Sequence, residues 1–251
     1  MILKNSTSLK NLYDDFFLIK NNKDFFIFLE KLNILIKIKK NGYIPKSGFM
    51  LIDSIKDIDF SKKNILDIGC GETGIITHYS YLKNPKNITG IDIDKKAIKH
   101  VSKSSNFSKK IKWIPGDFKI LRGKKFDVVV SNPPQMPIFN FSLQKEKNYH
   151  DSSGGTGRET IIDILKLAPH LLRKNGNIFM LIFDFLGIEE SFNNNPSIKK
   201  KKKNLGISCN IIDSHKKIVN KNGKTFENIE FIKSIYPMYR FKTNEQGELY
   251  F

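Results

Sequence analysis

The chain is 251 residues long, with 43 Lys plus Arg against 25 Asp plus Glu, a formal net charge of +18, and 39% apolar and 12% aromatic residues. That apolar content supplies a sizeable core and excludes a disordered chain. Two cysteines exclude a disulfide framework, and the five scattered histidines have no zinc-ligand spacing. The most apolar run, 178–186, contains Asp184 and falls far short of the roughly 20 residues of a membrane span. The opening MILKNSTSLK lacks the apolar stretch of a signal peptide. The expectation is a soluble, cytoplasmic protein.

The charge has two readings. Only four of the basic residues are Arg (Arg122, Arg158, Arg173, Arg240), and Lys, Ile and Asn together fill 99 of 251 positions. Phosphate recognition favours Arg for bidentate contacts, so this skew fits AT-rich coding as well as it fits nucleic-acid affinity.

In chain order, residues 8–32 read as two helices. Leu9, Leu12, Phe16 and Phe17 fall on one helical face, and Phe25, Phe26, Leu29 and Leu32 on another, with Asn21-Asn22 between them. Alternating Ile34, Ile36 and Ile38 lead into Asn41-Gly42 as a strand entering a turn, and 48–58 reads as a short helix. From Asn64 the pattern becomes strand–helix alternation. Buried strands fall at 64–68, 88–93, 111–114, 126–131 and 177–183, with helices at 73–82, 95–103 and 158–173. Strands separated by helices imply a parallel sheet covered on both faces. The stretches 207–213 and 229–241 read as strands closing the sheet with an antiparallel C-terminal edge, and Lys199–Lys203 as a solvated loop. The expected fold is α/β: a Rossmann-like, mainly parallel sheet at 43–251, preceded by a small helical extension at 1–42.

The strongest chemical signal is ILDIGCGETG, residues 65–74, a strand followed by Gly69, Gly71 and Gly74 before a helix. Glycines so placed allow a tight turn and close approach of a ligand beside a helix N-terminus. Asp92 ends the next strand, where a carboxylate can accept two ribose hydroxyls. Asp67 stands two residues before the first glycine. A carboxylate there repels a pyrophosphate but suits a cofactor bearing a sulfonium and an α-ammonium, which favours S-adenosyl-L-methionine over a nicotinamide dinucleotide.

Asp67-Ile68-Gly69-Cys70-Gly71, Gly90-Ile91-Asp92, Pro115-Gly116-Asp117-Phe118 and Asp127 through Asn132-Pro133-Pro134 follow in order. Together they resemble the class I S-adenosylmethionine-dependent methyltransferases over about residues 43–185. The resemblance implies that Gly69–Gly71 and Asp67 hold the methionine part of the cofactor and Asp92 the ribose. It gives Asp117 the adenine amino group and Phe118 the base. Many members carry a third glycine where this chain has Thr73, with Gly74 one position later. Cys70 reads as a small buried residue, and Tyr43-Ile44-Pro45 resembles the family's segment over the cofactor.

Asn132-Pro133-Pro134 is similar to the element of the amino-directed branch, which modifies glutamine amides or nucleobase amino groups. A planar nitrogen has a delocalised lone pair. Acceptors aimed at its hydrogens, the Asn132 side-chain oxygen and the Pro133 carbonyl, localise that pair toward the methyl. Pro134 would line the substrate. Branch members usually carry an aromatic residue next, where this chain has Gln135; either Phe139, Phe141 or Tyr149 supplies the platform, or the acceptor is neither a base nor an amide, and Gln135 itself can hydrogen-bond a polar substrate. Ser152 through Arg158 is a glycine-rich stretch that either lines the substrate site or starts the following helix. The expected acceptor is a protein (a release factor or ribosomal protein) or RNA. A small metabolite, a reaction consuming the cofactor without methyl transfer, and a non-catalytic RNA-binding protein are the competing readings.

Overall fold

The structure, a computed structural model, describes residues 8–13, 16–21, 23–30, 34–40, 42–136, 153–183, 186, 242–243 and 249–250. It divides into two compact units, 1–132 with 170–181, and 133–169 with 182–251.

The first unit opens with strands where helices are expected. β1 (Ser8–Tyr13), β2 (Phe16–Asn21), β3 (Asp24–Leu29) and β4 (Ile34–Ile38) form an antiparallel sheet in chain order. The apolar runs here are only five or six residues long and rich in Phe and Ile, which suit a pleated surface better than a helix. Ladder pairing of Ile19 with Phe26 and of Ile27 with Ile36 then decides the matter. Ile19, Ile27 and Ile36 are fully buried, and Phe16 stacks on Phe49 of the following helix at 4.5 Å between centroids. The helical extension is thus corrected to a β-sheet sharing its core with the rest of the unit.

After α1 (Lys46–Ser54), the chain alternates as expected: β5 (Asn64–Ile68), α2 (Ile75–Leu82), β6 (Asn87–Asp92), α3 (Lys95–Val101), β7 (Lys112–Pro115) and β8 (Phe126–Ser131). α4 (Glu159–Leu171) and β9 (Leu172–Met180) follow. The sheet order is β7-β6-β5-β8-β9 and every neighbouring pair is parallel. The direction of winding reverses between β5 and β8, so the crevice for a ligand lies at the carboxyl ends of those two strands.

Local bonds set this register. At the start of β5 the Asn64 backbone N–H and side-chain amide both donate to Asp127 Oδ2, at 2.8 and 2.7 Å. At the far end Ser131 Oγ donates to the Ile68 carbonyl at 2.8 Å. Lys83 closes the C-terminal end of α1: its ammonium donates to the carbonyls of Ile55 (3.0 Å), Ile58 (2.7 Å) and Lys56, over the rings of Phe60 and Tyr79. These carbonyls lie at and beyond the last turn of α1, where a cation also meets the negative end of the helix dipole.

In the second unit, Ser153 Oγ accepts from Thr160 N at 2.9 Å in the first turn of α4, and Glu159 Oε1 accepts from Thr156 N at 3.0 Å. The glycine-rich stretch leads into this helix, and the Glu159 side chain lies where a Cβ on Gly154 would be. β10 (Lys242–Thr243) and β11 (Leu249–Tyr250) pair antiparallel. The expected strands at 207–213 and 229–241, the loop Lys199–Lys203, and Phe139, Phe141 and Tyr149 lie outside the described residues. No helix among the described residues is long and apolar enough to cross a membrane.

Candidate active site

The chain leaves β5 through a turn suspended from β6. Gly69 N and Cys70 N both donate to the Ile91 carbonyl, at 2.8 and 3.2 Å. Gly69 and Gly71 have φ of +75° and +65°, the left-handed region, and a Cβ at either would meet nothing within 4 Å. That open space leaves the backbone of the turn accessible. Gly74 begins α2 at φ +53° under a different constraint: a Cβ there would come 2.6 Å from Val101 and 2.7 Å from Trp113. The missing glycine at Thr73 is thus made good one residue later, and Thr73 itself is buried.

Asp67 is fully buried in the sheet. Its Oδ2 accepts from Thr77 Oγ1 at 2.5 Å, and its Oδ1 has no hydrogen-bond partner. Burial pushes its carboxyl up to about 7, the Thr77 bond opposes this, and the nearby Asp92 charge adds to the rise. Asp92, half-buried at the end of β6, accepts from Gly71 N through Oδ2 and from Asp94 N through Oδ1, each at 2.8 Å. These two amides fix the orientation of the carboxylate. Gly116 N donates to the Asp92 carbonyl at 2.8 Å, which sets the end of β7 beside that of β6. Asp117 then caps a single 3-10 turn, Phe118–Leu121, by accepting from Lys119 N at 2.9 Å. Phe118 is half-buried at its start.

At the end of β8, Asn132 is half-buried, and its Nδ2 donates to Ser47 Oγ at 3.0 Å. The same hydroxyl lies 3.3 Å from Asn132 Oδ1. Asp67, Gly69, Gly71, Asp92, Asp117, Phe118 and Asn132 therefore all stand at the carboxyl edge of adjacent strands. Pro133 is buried and Pro134 half-buried in the second unit. Gln135 requires a correction: it is 2% exposed, and its Oε1 accepts from Phe183 N at 2.8 Å. That side chain holds backbone and is not presented to an acceptor.

Sequence reasoning passed over several residues of this edge. Ile93 and Ile120, adjacent to Asp92 and within the Asp117 turn, are 74% and 59% exposed, apolar surface that a flat base can cover. Glu72 is buried at the tip of the glycine turn. It pairs with Lys39 Nζ at 2.5 Å and accepts from Tyr43 N at 2.9 Å, so Tyr43-Ile44-Pro45 is tied directly to the turn. Its only sequence signal is a carboxylate inside a glycine run. Cys70 is buried against Ile98, Val101 and Trp113, and desolvation pushes its thiol up, which keeps it inert. His78 is likewise buried, its ring bonded to the Gly74 carbonyl at 2.8 Å, and desolvation lowers it to about 4, so it stays neutral.

Residues 44–207 match the family described as the methyltransferase small domain. The chain belongs to that family. It is a methyltransferase of the class that uses S-adenosylmethionine. A protein of Methanocaldococcus jannaschii, named as a protein N5-glutamine methyltransferase, is 28% identical over 169 residues, 66% of this chain and 84% of its own length. A release factor glutamine methyltransferase of Fusobacterium nucleatum is 28% identical over 57% of this chain and 41% of its own. A tRNA1(Val) (adenine(37)-N6)-methyltransferase of a Flavobacteriaceae bacterium is 34% identical over 34% of this chain and 38% of its own. The chain thus spans less than half the length of the last two.

The residues present fit the cofactor. An unpartnered carboxylate oxygen in a fully buried site, with a second carboxylate nearby, is a costly arrangement that a cationic group relieves. Among the described residues no cluster of His, Cys, Asp and Glu could hold a metal ion.

Proposed function

We propose that this methyltransferase modifies a planar nitrogen, either the side-chain amide of a protein glutamine or the exocyclic amino group of a nucleobase. The observation that carries the reading is the Asn132 carboxamide at the end of β8, beside the strand that bears Asp67. The names of the relatives, glutamine and adenine N-methyltransferases, support the same acceptor class.

S-adenosylmethionine, when bound, supplies an electrophilic methyl carbon on a sulfonium. The chain's own residues do the rest. Asp67 Oδ1 takes the ammonium of the methionine part, and the backbone at Gly69 and Gly71 lets that part approach. Asp92, held by Gly71 N and Asp94 N, accepts the ribose hydroxyls. Asp117 accepts from the adenine amino group, with Phe118, Ile93 and Ile120 around the base. Asn132 Oδ1 and the Pro133 carbonyl accept the two hydrogens of the acceptor nitrogen, which turns its lone pair toward the methyl carbon. Pro134 lines the acceptor. No strong base is required before attack, because the nitrogen's proton becomes acidic only after the new bond forms. Most of the rate enhancement is therefore positioning.

Tritiated-methyl transfer into separated protein, RNA and small-molecule fractions of a cell lysate tests the reading. Label in protein that acid hydrolysis releases as methylamine, or label in an N-methylated nucleobase, is the expected result. Label confined to small molecules, or methylthioadenosine formed without transfer, overturns it.

A further inference from the structure

The Ser47 hydroxyl sits in the first turn of α1, 85 residues from Asn132 in sequence, and both of its hydrogen bonds go to that residue. Among the described residues neither side chain has another hydrogen-bond partner. Accepting from Nδ2 at 3.0 Å and facing Oδ1 at 3.3 Å, the hydroxyl straddles one edge of the carboxamide. A hydroxyl both donates and accepts, so it serves the amide with oxygen and nitrogen in either place; what it fixes is the plane. One Oδ1 lone pair and one Nδ2 hydrogen, pointing apart on either side of the Cβ–Cγ bond, stay unengaged among the described residues.

An unrestrained Asn side chain rotates broadly about its last torsion. For a hydrogen bond that must align an acceptor nitrogen with an in-line methyl transfer, such rotation is lost rate. The backbone around Ser47 is itself anchored. Phe49 is fully buried against Phe16, and Gly48 N donates to the Pro45 carbonyl at 2.8 Å. Asn132 is anchored from the other side, since the preceding Ser131 bonds Ile68 through its side chain and Leu181 through its carbonyl. Both ends of the Ser47–Asn132 contact are thus held by core packing or by the sheet.

We propose that Ser47 is a positioning residue for methyl transfer, holding the plane of the Asn132 carboxamide so that the remaining Oδ1 lone pair faces the acceptor nitrogen. This rests on the role given to Asn132 above. It adds a residue that joins the N-terminal side of the unit to the chemistry, and it predicts that α1 is part of the machinery for turnover.

The test compares Ser47→Ala, Ser47→Thr, Asn132→Ala and the double variant, with tritiated-methyl transfer measured into a mixture of release factor, ribosomal protein and tRNA. Ser47→Ala is expected to lower kcat about tenfold with cofactor affinity nearly unchanged, and Ser47→Thr to restore most of it. In the Asn132→Ala background, Ser47→Ala should have no further effect. The 15N side-chain amide signal that disappears in Asn132→Ala should shift and exchange faster with solvent in Ser47→Ala, while the melting temperature stays within a few degrees. If Asn132→Ala loses turnover but Ser47→Ala stays within about twofold of the native enzyme, the positioning role falls and the acceptor reading stands. If Asn132→Ala itself turns over normally, the acceptor reading falls, and the positioning role with it.

Discussion

Thr77 Oγ1 donates to one oxygen of the buried Asp67 carboxylate at 2.5 Å and leaves the other oxygen without a partner. Thr77 thus satisfies one side of the carboxylate and not the other, the side proposed above to take the cofactor's ammonium. Buried carboxylates are ordinarily paired or fully hydrogen-bonded, so an oxygen left without a partner costs stability.

That cost sets a pH dependence. Burial raises the folded carboxyl from 3.8 to about 7, so between those values the folded chain holds a proton that the unfolded chain has released. The Asp67 contribution to stability is fully present below about pH 4 and is lost as pH rises through 7. Binding of a cationic cofactor has the opposite trend, because it needs the carboxylate and strengthens as pH rises through 7. Asp67→Asn should flatten the first dependence in thermal melts of the cofactor-free protein between pH 5 and 8. It should also weaken S-adenosylmethionine binding by about 10- to 100-fold in calorimetry at pH 8, the worth of a charge-assisted hydrogen bond.

Two glycines of the same turn should fail for different reasons. Gly74→Ala drives a Cβ to 2.6 Å from Val101 and 2.7 Å from Trp113 in addition to the left-handed φ. It should destabilise the protein by about 3 kcal/mol. Gly71→Ala meets no protein atom, so it should cost only about 1–2 kcal/mol of backbone strain while occupying the ligand's space. Urea unfolding followed by the fluorescence of the single tryptophan, Trp113, distinguishes the two, and calorimetry should show the larger loss of cofactor affinity in Gly71→Ala.

Glu72 ties Tyr43 to the glycine turn. Glu72→Ala removes the acceptor for Tyr43 N and the partner of Lys39. The Lys39 side chain is 44% exposed, so solvent screening leaves that pair a minor part of the loss. The unsatisfied amide dominates, at about 1–3 kcal/mol, and loosens the segment expected over the cofactor. The cofactor dissociation constant should rise several-fold in Glu72→Ala and hardly change in Lys39→Met. Equal effects of the two variants would show that the ion pair does the tethering.

Lys83 gathers three carbonyls at the end of α1. Lys83→Met keeps much of its apolar stem over Phe60 and Tyr79 but leaves those carbonyls to solvent. A loss of about 1–2 kcal/mol in urea unfolding is expected, and adding salt should not reproduce it, because the bonds run to backbone and not to a carboxylate.

Three strands of the parallel sheet, β5, β6 and β8, were legible because each is a short apolar run with a distinctive polar residue at its end: Asp67 before the glycines, Asp92 after Gly90-Ile91, Asn132 before two prolines. Local spacing encodes such features, since backbone conformation and ligand chemistry both act within a few residues. Of the N-terminal sheet only β4, with its alternating Ile34, Ile36 and Ile38, was legible. The run from Phe16 to Leu29 satisfies a helical period and a pleated one about equally, and only pairing across β2, β3 and β4 chooses between them. Gln135 misled for a related reason: its bond to Phe183 joins positions 48 residues apart.

By itself, then, the sequence determined the order of the main sheet's elements and the cofactor class, both of which depend on short-range patterns. Only the tertiary structure decided that the N-terminal segment is a sheet, that Glu72 holds Tyr43, that Asp67 keeps one oxygen unpaired and that Ser47 grips Asn132. Each of those is a contact between residues far apart along the chain or a consequence of burial, and neither is written in local spacing.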